Sequence, residues 1–245
     1  MLKRCGVLLL QHGWCVERLT SWRVSDELRV VSEPVLYLEA LMAPTIAAQF
    51  GLVLLEPAED WLPQLAEVYR QRSVILTTLG EARCLKQAAF VKPPNDKSFP
   101  AKVYNPGELP IEYPDNTSVL VAEIIEWEKE FRCFILDRTL QTFSVYLRYG
   151  ELQRDTDFTH SLAEEREVRE FISIILADVQ IELPKSTVID IGIIKGKGWA
   201  VIEQNSAWGA GIYGCDPIAV LEVLRHAAIS NELPSATAID DTVTS

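Results

Sequence analysis

Two short apolar segments near the carboxyl end of the chain carry the side chains best suited to binding a cation. They are residues 188–194 and 198–205, and the Lys-Gly-Lys-Gly sequence between them predicts a β-hairpin. If the turn is symmetric about its central Gly-Lys pair, Asp190 lies opposite Glu203. Because side chains alternate along a strand, Asn205 then falls on the same face as both carboxylates.

Opposed carboxylates of this kind predict a metal site. Cβ atoms directly opposite each other in an antiparallel pair lie ~4.5–5.5 Å apart, so the two charges repel unless a cation lies between them. Oxygen ligands without a neighbouring His or Cys select magnesium over zinc. The apolar flanks favour this interpretation, although Asp190 and Glu203 could also be ordinary residues on the solvent-facing side of a sheet.

The segments before the hairpin predict the elements that position it. Residues 89–149 indicate a small antiparallel sheet, with strand-like runs at 90–92, 102–104, 119–125, 131–136 and 142–147. A helix over residues 161–178 follows, with Ser161 and Glu164 spaced for a capping box. A last helix over 217–229 starts at a proline suited to the first turn.

The first third of the chain has a different pattern. Between residues 35 and 80, short apolar runs at 35–38, 52–55 and 74–76 alternate with helix-like stretches, of which 62–72 is the clearest. We therefore expect an α/β N-terminal domain over residues 1–88. Residues 230–245 contain few large apolar side chains and predict a flexible tail.

Composition excludes several classes of partner and location. The formal net charge of −12 gives no overall basic surface for nucleic acid or an anionic membrane. Charges interrupt every apolar run before the ~20 residues of a membrane span, and the run near the start is too short for a signal sequence. Five cysteines without zinc or CxxC spacing indicate a reducing, cytoplasmic location.

Four motifs in order give the chain a family resemblance. They are Phe90-Val91-Lys92-Pro93, then Glu123-Ile124-Ile125 with Glu130-Phe131-Arg132, then Asp190-Ile191-Gly192, and finally Glu203-Gln204-Asn205. With them, residues 90–223 resemble the ATP-grasp superfamily, in particular its clade of predicted ligases named for two arginines and a lysine. The resemblance implies an α/β (α+β) fold in which a small lobe (89–122) and a C-terminal lobe (123–229) hold ATP between them.

The resemblance also implies roles for individual residues. Lys92 would hold the α- and β-phosphates of ATP, and Glu130 would accept hydrogen bonds from the ribose hydroxyls. The hinge between the lobes would meet the adenine, through the residues Glu123, Ile124, Ile125 and Glu126. Asp190, Glu203 and Asn205 would hold Mg²⁺ at the phosphates.

The two arginines of the clade are assigned to Arg132 and Arg148, near the transferred phosphate or the substrate carboxylate. The sequence leaves the hairpin register around residues 137–139 ambiguous by one residue, so it does not decide whether they share a face. Two departures from better-known relatives bear on these roles. A Gly-rich phosphate loop is replaced by residues 95–100, so Lys97, Ser98 and Lys102 would substitute for it. Val188 stands where many relatives have an arginine, so Arg132 or Arg148 would have to stabilise the transferred phosphate.

By this resemblance, the chain is expected to be an enzyme that joins a small-molecule or peptide carboxylate to an amine, using Mg-ATP and an acyl-phosphate intermediate. A small-molecule kinase and a non-catalytic ATP sensor are the alternatives. The loop 206–217 indicates a substrate-facing turn, unless Trp208 and Tyr213 simply pack beneath it. The oligomeric state stays open, a homodimer included.

Overall fold

The computed structural model describes residues 14–231. Seven α-helices are α1 (Asp26–Arg29), α2 (Ala43–Gln49), α3 (Trp61–Gln64), α4 (Glu67–Arg70), α5 (Leu79–Arg83), α6 (Leu162–Ala177) and α7 (Pro217–Leu224), all within that range, with a 3-10 turn at Ala207–Gly209. The strands within the same range are β1 (Leu52–Leu54), β2 (Val74–Thr78), β3 (Ala89–Lys92), β4 (Lys102–Tyr104), β5 (Ser118–Ala122), β6 (Trp127–Leu136), β7 (Thr139–Arg148), β8 (Glu151–Leu152), β9 (Ser186–Ile194), β10 (Gly198–Asn205) and β11 (Ala228–Ser230).

A four-stranded antiparallel sheet, in the order β2-β5-β3-β4, forms the smaller layer. One face packs on α5, where Val91 and Val119 join the buried Leu79. Strand β2 belongs to this sheet because it pairs with β5 along its whole length. The sheet therefore extends across the domain boundary expected at residue 88.

A five-stranded antiparallel sheet, in the order β10-β9-β6-β7-β8, forms the larger layer. Alternation along its strands gives it two buried faces. Phe131 and Ile191 point to α6, whereas Phe134 and Val188 point to α7. Helix α6 has the predicted capping box, in which Ser161 and Glu164 satisfy each other's backbone N–H groups.

The predicted middle sheet is thus divided between two layers. The chain leaves the small sheet at Ala122 and enters the large sheet at Trp127. Residues 123–126, the hinge segment, have no regular secondary structure. The resemblance places the boundary between the lobes at this position.

Three predicted elements differ in the structure. The helix expected over 62–72 is divided into α3 and α4, because Leu65 is buried in an extended conformation and Arg70 donates to its carbonyl oxygen. The run 35–38 forms no strand. The last helix ends at Leu224, and after a turn over residues 225–227 the chain forms β11, which pairs with β1.

No helix within residues 14–231 is long and apolar enough to cross a membrane. Of the predicted tail, Ser230 belongs to β11 and Asn231 donates from its backbone to Gly51. The remainder of the tail and the first thirteen residues lie outside the described part of the chain.

Candidate functional site

The predicted pairing of Asp190 with Glu203 is present, but through a different geometry from the one expected. Ile194 pairs with Gly198, so the turn has three residues rather than two. A β-bulge at Ile202 then shifts the register by one residue and brings Glu203 opposite Asp190.

The three predicted metal ligands converge on one face of this hairpin. The Nδ2 atom of Asn205 donates to Asp190 Oδ2 at 3.2 Å and to Glu203 Oε1 at 3.0 Å. Lys92, the last residue of β3, donates from the small sheet to Glu203. Although burial acts to raise it, the pKa of Glu203 is lowered to about 2, chiefly by the Lys92 charge.

Arg132 holds the second carboxylate. Its Nε and Nη2 atoms donate to the two oxygens of Asp190 at 2.9 and 2.7 Å, and its Nη1 atom donates to the Gly211 carbonyl at 3.1 Å. Both side chains are buried. Burial opposes the charge on Arg132, yet the bidentate pair with Asp190 raises the arginine pKa and keeps it protonated. Together, these residues form the ion-pair cluster, which consists of Lys92, Arg132, Asp190, Glu203 and Asn205.

Aromatic side chains line the cluster next to Arg132. Tyr146 and Tyr213 stack with ring centroids 4.9 Å apart, and the Arg132 guanidinium lies 5.3 and 5.0 Å from these rings. The Tyr146 hydroxyl donates to Glu130 at 2.9 Å. Burial raises the pKa of Glu130 to about 7; the Tyr146 hydrogen bond opposes this rise, and the nearby carboxylates of the cluster reinforce it.

The hinge segment is held by the turn of the β9-β10 hairpin. Lys197 Nζ lies 2.6 Å from Glu123, and Lys195 Nζ lies 2.8 Å from Glu126. The Lys195 backbone also donates to the Glu126 carbonyl. Between these contacts, Ile124 is exposed and Ile125 is half-buried, so the segment presents apolar surface between two anchored carboxylates.

Two predicted site residues do not join the cluster. Lys102 pairs in register with Val91, so it lies on the face of the small sheet opposite to Lys92, with its ammonium over the Tyr104 ring. Arg148 donates to Glu164 of α6, on the face of the large sheet that α6 covers.

The location of Arg148 follows from the β6-β7 register. Asp137 and Arg138 form a two-residue turn with φ of 45° and 57°. Two register shifts then separate the turn from the far end of the hairpin, where Arg148 pairs with Lys129. Arg132 instead pairs with Ser144, and its side chain points to the other face.

The loop 206–217 contains one buried and one partly exposed aromatic side chain, and its substrate-facing role stays a prediction. Trp208 is buried and donates to the Leu55 carbonyl, so it packs beneath the loop. Tyr213 is partly exposed and lies against Arg132. Cys215 is buried, and burial raises the pKa of its thiol to about 12, so it is unsuited to act as a nucleophile.

Several residues at the site were not identified from the sequence. Tyr146 reaches it from the bulged part of β7, and Ile202 reaches it through the bulge in β10. Arg72 contacts the backbone of that same bulge. Gly192 permits close packing, because a Cβ atom there would lie 2.5 Å from the Lys129 carbonyl oxygen and 3.1 Å from Ile202. The glycine in Asp-Ile-Gly was the one sequence signal for this packing.

The donor set limits the kind of metal the cluster could hold. Within residues 14–231, no three His, Cys, Asp or Glu side chains group together as a metal site. The candidate ligands are two carboxylates and one amide, which together offer only oxygen donors to a metal and suit a hard divalent cation. Rotation of the Asn205 amide would turn its oxygen to the point now faced by its nitrogen.

Comparison with known proteins gives the chain a family. No curated protein sequence matches it significantly. Similar solved structures include the ATP-grasp ligase PsnB with a minimal precursor (12% identity, TM-score 0.40, 77% of this chain and 62% of that one). A D-alanine–D-alanine ligase from Bacillus anthracis is also similar (15% identity, TM-score 0.43, 74% and 69%). The chain thus spans less than two thirds of the length of PsnB. Residues 69–223 match family 2 of the ATP-grasp domains in the clade named for two arginines and a lysine, and the chain belongs to that family.

Proposed function

We propose that this chain binds Mg-ATP and joins a carboxylate to an amine through an acyl phosphate. The observation that carries the proposal is the ion-pair cluster, in which a lysine from the small sheet meets two carboxylates and an arginine from the large sheet. In an ATP-grasp domain, this is where the two layers would hold the phosphates.

The charges of the cluster support a phosphate and metal site. Lys92 and Arg132 offset Asp190 and Glu203, so the cluster is neutral as it stands. A divalent cation at Glu203 would release Lys92, whose ammonium would then be free to pair with phosphate oxygens. Lys92 would exchange one anionic partner for another, so nucleotide and cation should favour each other's binding.

Asp190, Glu203 and the Asn205 amide would hold the cation. When bound, Mg²⁺ neutralises phosphate charge and makes ADP a better leaving group. The hinge segment and Ile202 offer apolar surface for the adenine, and Glu130 would accept from the ribose. The pKa of Glu130, raised to about 7, leaves a large fraction of its carboxyl ionised at neutral pH.

The proposed reaction has two steps. An oxygen of the substrate carboxylate attacks the γ-phosphorus, and the bond to the β-phosphate oxygen breaks to release ADP. A neutral amine then attacks the acyl carbon, the bond to the phosphate oxygen breaks, and inorganic phosphate and one proton leave. Positioning and charge neutralisation provide most of the acceleration, so no His-centred nucleophile is required.

The products of nucleotide turnover test this proposal. The protein is incubated with Mg-ATP and a panel of acids and amines, including peptides, and the nucleotides are separated by chromatography. We expect ADP and inorganic phosphate, formed only with an acid and amine pair that yields an amide. AMP and pyrophosphate would instead indicate attack on the α-phosphorus and would overturn the acyl-phosphate mechanism.

Two further outcomes separate the alternatives. ADP with a stable phosphorylated acceptor and no amide would indicate a kinase, and nucleotide binding without turnover would indicate a sensor.

Glu203→Gln should abolish turnover in a folded protein, because it removes a metal-binding charge and also reduces repulsion with Asp190. Full turnover by that variant would show that Glu203 is not required as a metal ligand.

A further inference from the structure

Arg72 contacts the bulge that brings Glu203 into register. Its Nη1 atom donates to the Val201 carbonyl at 2.7 Å, and its Nη2 atom donates to the Ile202 carbonyl at 2.8 Å. Successive carbonyls of a regular strand point to opposite edges, so one guanidinium can reach both only where the strand is bulged. The planar fork of arginine matches this pair of acceptors.

The bulge decides which face carries the metal-binding carboxylate. Between Gly198 and Val201, β10 pairs with β9 in regular antiparallel register, which ends with Val201 opposite Ile191. If this register continued without a bulge, Ile202 would lie opposite Asp190. Glu203 would then lie opposite Ile189, on the face covered by α6. The extra residue at Ile202 returns Glu203 to the face of Asp190.

Arg72 is held in place by contacts on both sides of its guanidinium. It is buried, its Nη1 atom also donates to the Arg70 carbonyl at 3.0 Å, and its guanidinium lies 5.1 Å from the Trp127 ring centre. Strand β10 is an edge strand of the large sheet, so no further strand among residues 14–231 fixes these carbonyls. Desolvation lowers the pKa of Arg72 to about 10, which still leaves it charged at neutral pH.

We propose that Arg72 is a positioning residue that sets the β10 bulge and thereby holds Glu203 and Asn205 in metal-binding register. This inference rests on the proposed function, because it assigns Arg72 an effect on cation affinity. The competing explanation is that Arg72 only covers an exposed sheet edge and contributes to stability alone.

A matched pair of variants distinguishes the two explanations. Arg138 also donates to backbone carbonyls, those of Leu176, Asp178 and Ile181, but it lies at the far end of the large sheet. Arg72→Met and Arg138→Met therefore remove similar hydrogen bonds. The readouts are the thermal unfolding midpoint, the affinity for ATP without divalent cation, and the Mg²⁺ concentration that gives half-maximal tightening of ATP binding.

We expect both variants to unfold at lower temperature, but only Arg72→Met to need more Mg²⁺. Mutation of residues that orient metal ligands without contacting the metal typically changes metal affinity by about 10–100-fold. We therefore expect the Mg²⁺ concentration for half-maximal tightening to rise by at least about tenfold. Affinity for ATP without the cation should fall by less than the Mg²⁺ requirement rises, because Lys92 and the hinge segment, which would also bind the nucleotide, lie outside the bulge. Guanidinium ion, added at low concentration to Arg72→Ala, should restore part of the Mg²⁺ response.

The outcomes that overturn the inference are distinct from those that overturn the function. An unchanged Mg²⁺ requirement in Arg72→Met, or an equal increase in Arg138→Met, would show that Arg72 acts on stability alone. If Arg72→Met does not fold, Arg72→Lys replaces it, because one ammonium cannot span both carbonyls as the fork does. An unchanged Mg²⁺ requirement in Arg72→Lys would equally overturn the inference. Absence of any Mg²⁺ response in the unmodified protein would instead count against the proposed function.

Discussion

Lys92 and Glu203 form an ion pair between the two sheets, and each is partly exposed to solvent. Lys92 ends β3 in the small sheet, while Glu203 follows the bulge in β10 of the large sheet. The pair therefore connects the proposed phosphate site with the proposed metal site. Its partial exposure leaves it accessible to an incoming anion and cation.

Lys92→Ala is expected to weaken ATP binding by at least about tenfold, because it removes a charge-assisted contact to phosphate. The unfolding free energy should fall by about 1–3 kcal/mol, because Glu203 loses its counter-charge beside Asp190, but the protein should still fold. Calorimetry measures the affinity, and Lys102→Ala is the matched control on the opposite face of the same sheet. Unchanged affinity in Lys92→Ala would refute the phosphate role, and weaker binding in Lys102→Ala would restore the role first expected for that residue.

Asn205→Asp should make the stability of the protein depend on a divalent cation. The substitution removes both hydrogen bonds that Asn205 donates to the carboxylates and adds a third negative charge beside them. Without Mg²⁺, we expect the unfolding free energy to fall by about 1–3 kcal/mol. Thermal melts with MgCl₂, and with NaCl at equal ionic strength, should show recovery in magnesium alone. Equal recovery in both salts would contradict a specific metal site.

Glu164→Gln should remove a part of the stability that disappears in acid. Hydrogen bonds from Arg148, opposed by burial and reinforced by Lys129 and Ser161, hold the pKa of Glu164 well below its usual range. A depressed pKa contributes stability above the unfolded-state value of about 4.3, and this contribution is lost as pH falls below it. We expect the variant to lose about 2 kcal/mol at pH 7 and to show a smaller further loss in acid.

Denaturant melts between pH 7 and pH 3 test that expectation. Glu165→Gln is the matched control, because its partner Arg169 is largely exposed and the pair should contribute about 0.5 kcal/mol or less. If the two variants lost equal stability at pH 7, the contact between Glu164 and Arg148 would contribute no more to the unfolding free energy than the exposed pair does.

Gln204→Met should stabilise the protein. Gln204 lies between two proposed metal ligands but points to the opposite face, where its amide is buried and neither its nitrogen nor its oxygen has a hydrogen-bond partner among the described residues. Replacing an unsatisfied amide by an apolar chain of similar size should raise the unfolding free energy by about 1 kcal/mol. Gln141→Met, at an exposed position of β7, is the control. A loss of stability would show that the Gln204 amide has a partner such as bound water.

The sequence was most informative where structure depends on near neighbours. The capping box of Ser161 and Glu164 spans four residues, and β4 begins and ends where the apolar pattern predicted. The ordered motifs identified the family that the match over residues 69–223 confirms. The pairing of Asp190 with Glu203 was also predicted, although the assumed two-residue turn was wrong and the bulge at Ile202 compensated for it.

Only the tertiary structure decided which face each distant side chain occupies. In the β6-β7 hairpin, one register shift alone would place Arg148 on the face of Arg132, whereas the two shifts present cancel and leave it on the face of Glu164; alternation along a strand cannot reveal how many bulges there are. Arg72 reaches β10 across some 130 residues of sequence, and β11 pairs with β1 over an even longer separation. Such contacts depend on how whole layers pack, because local backbone preferences carry no information about which remote segment will cover an edge.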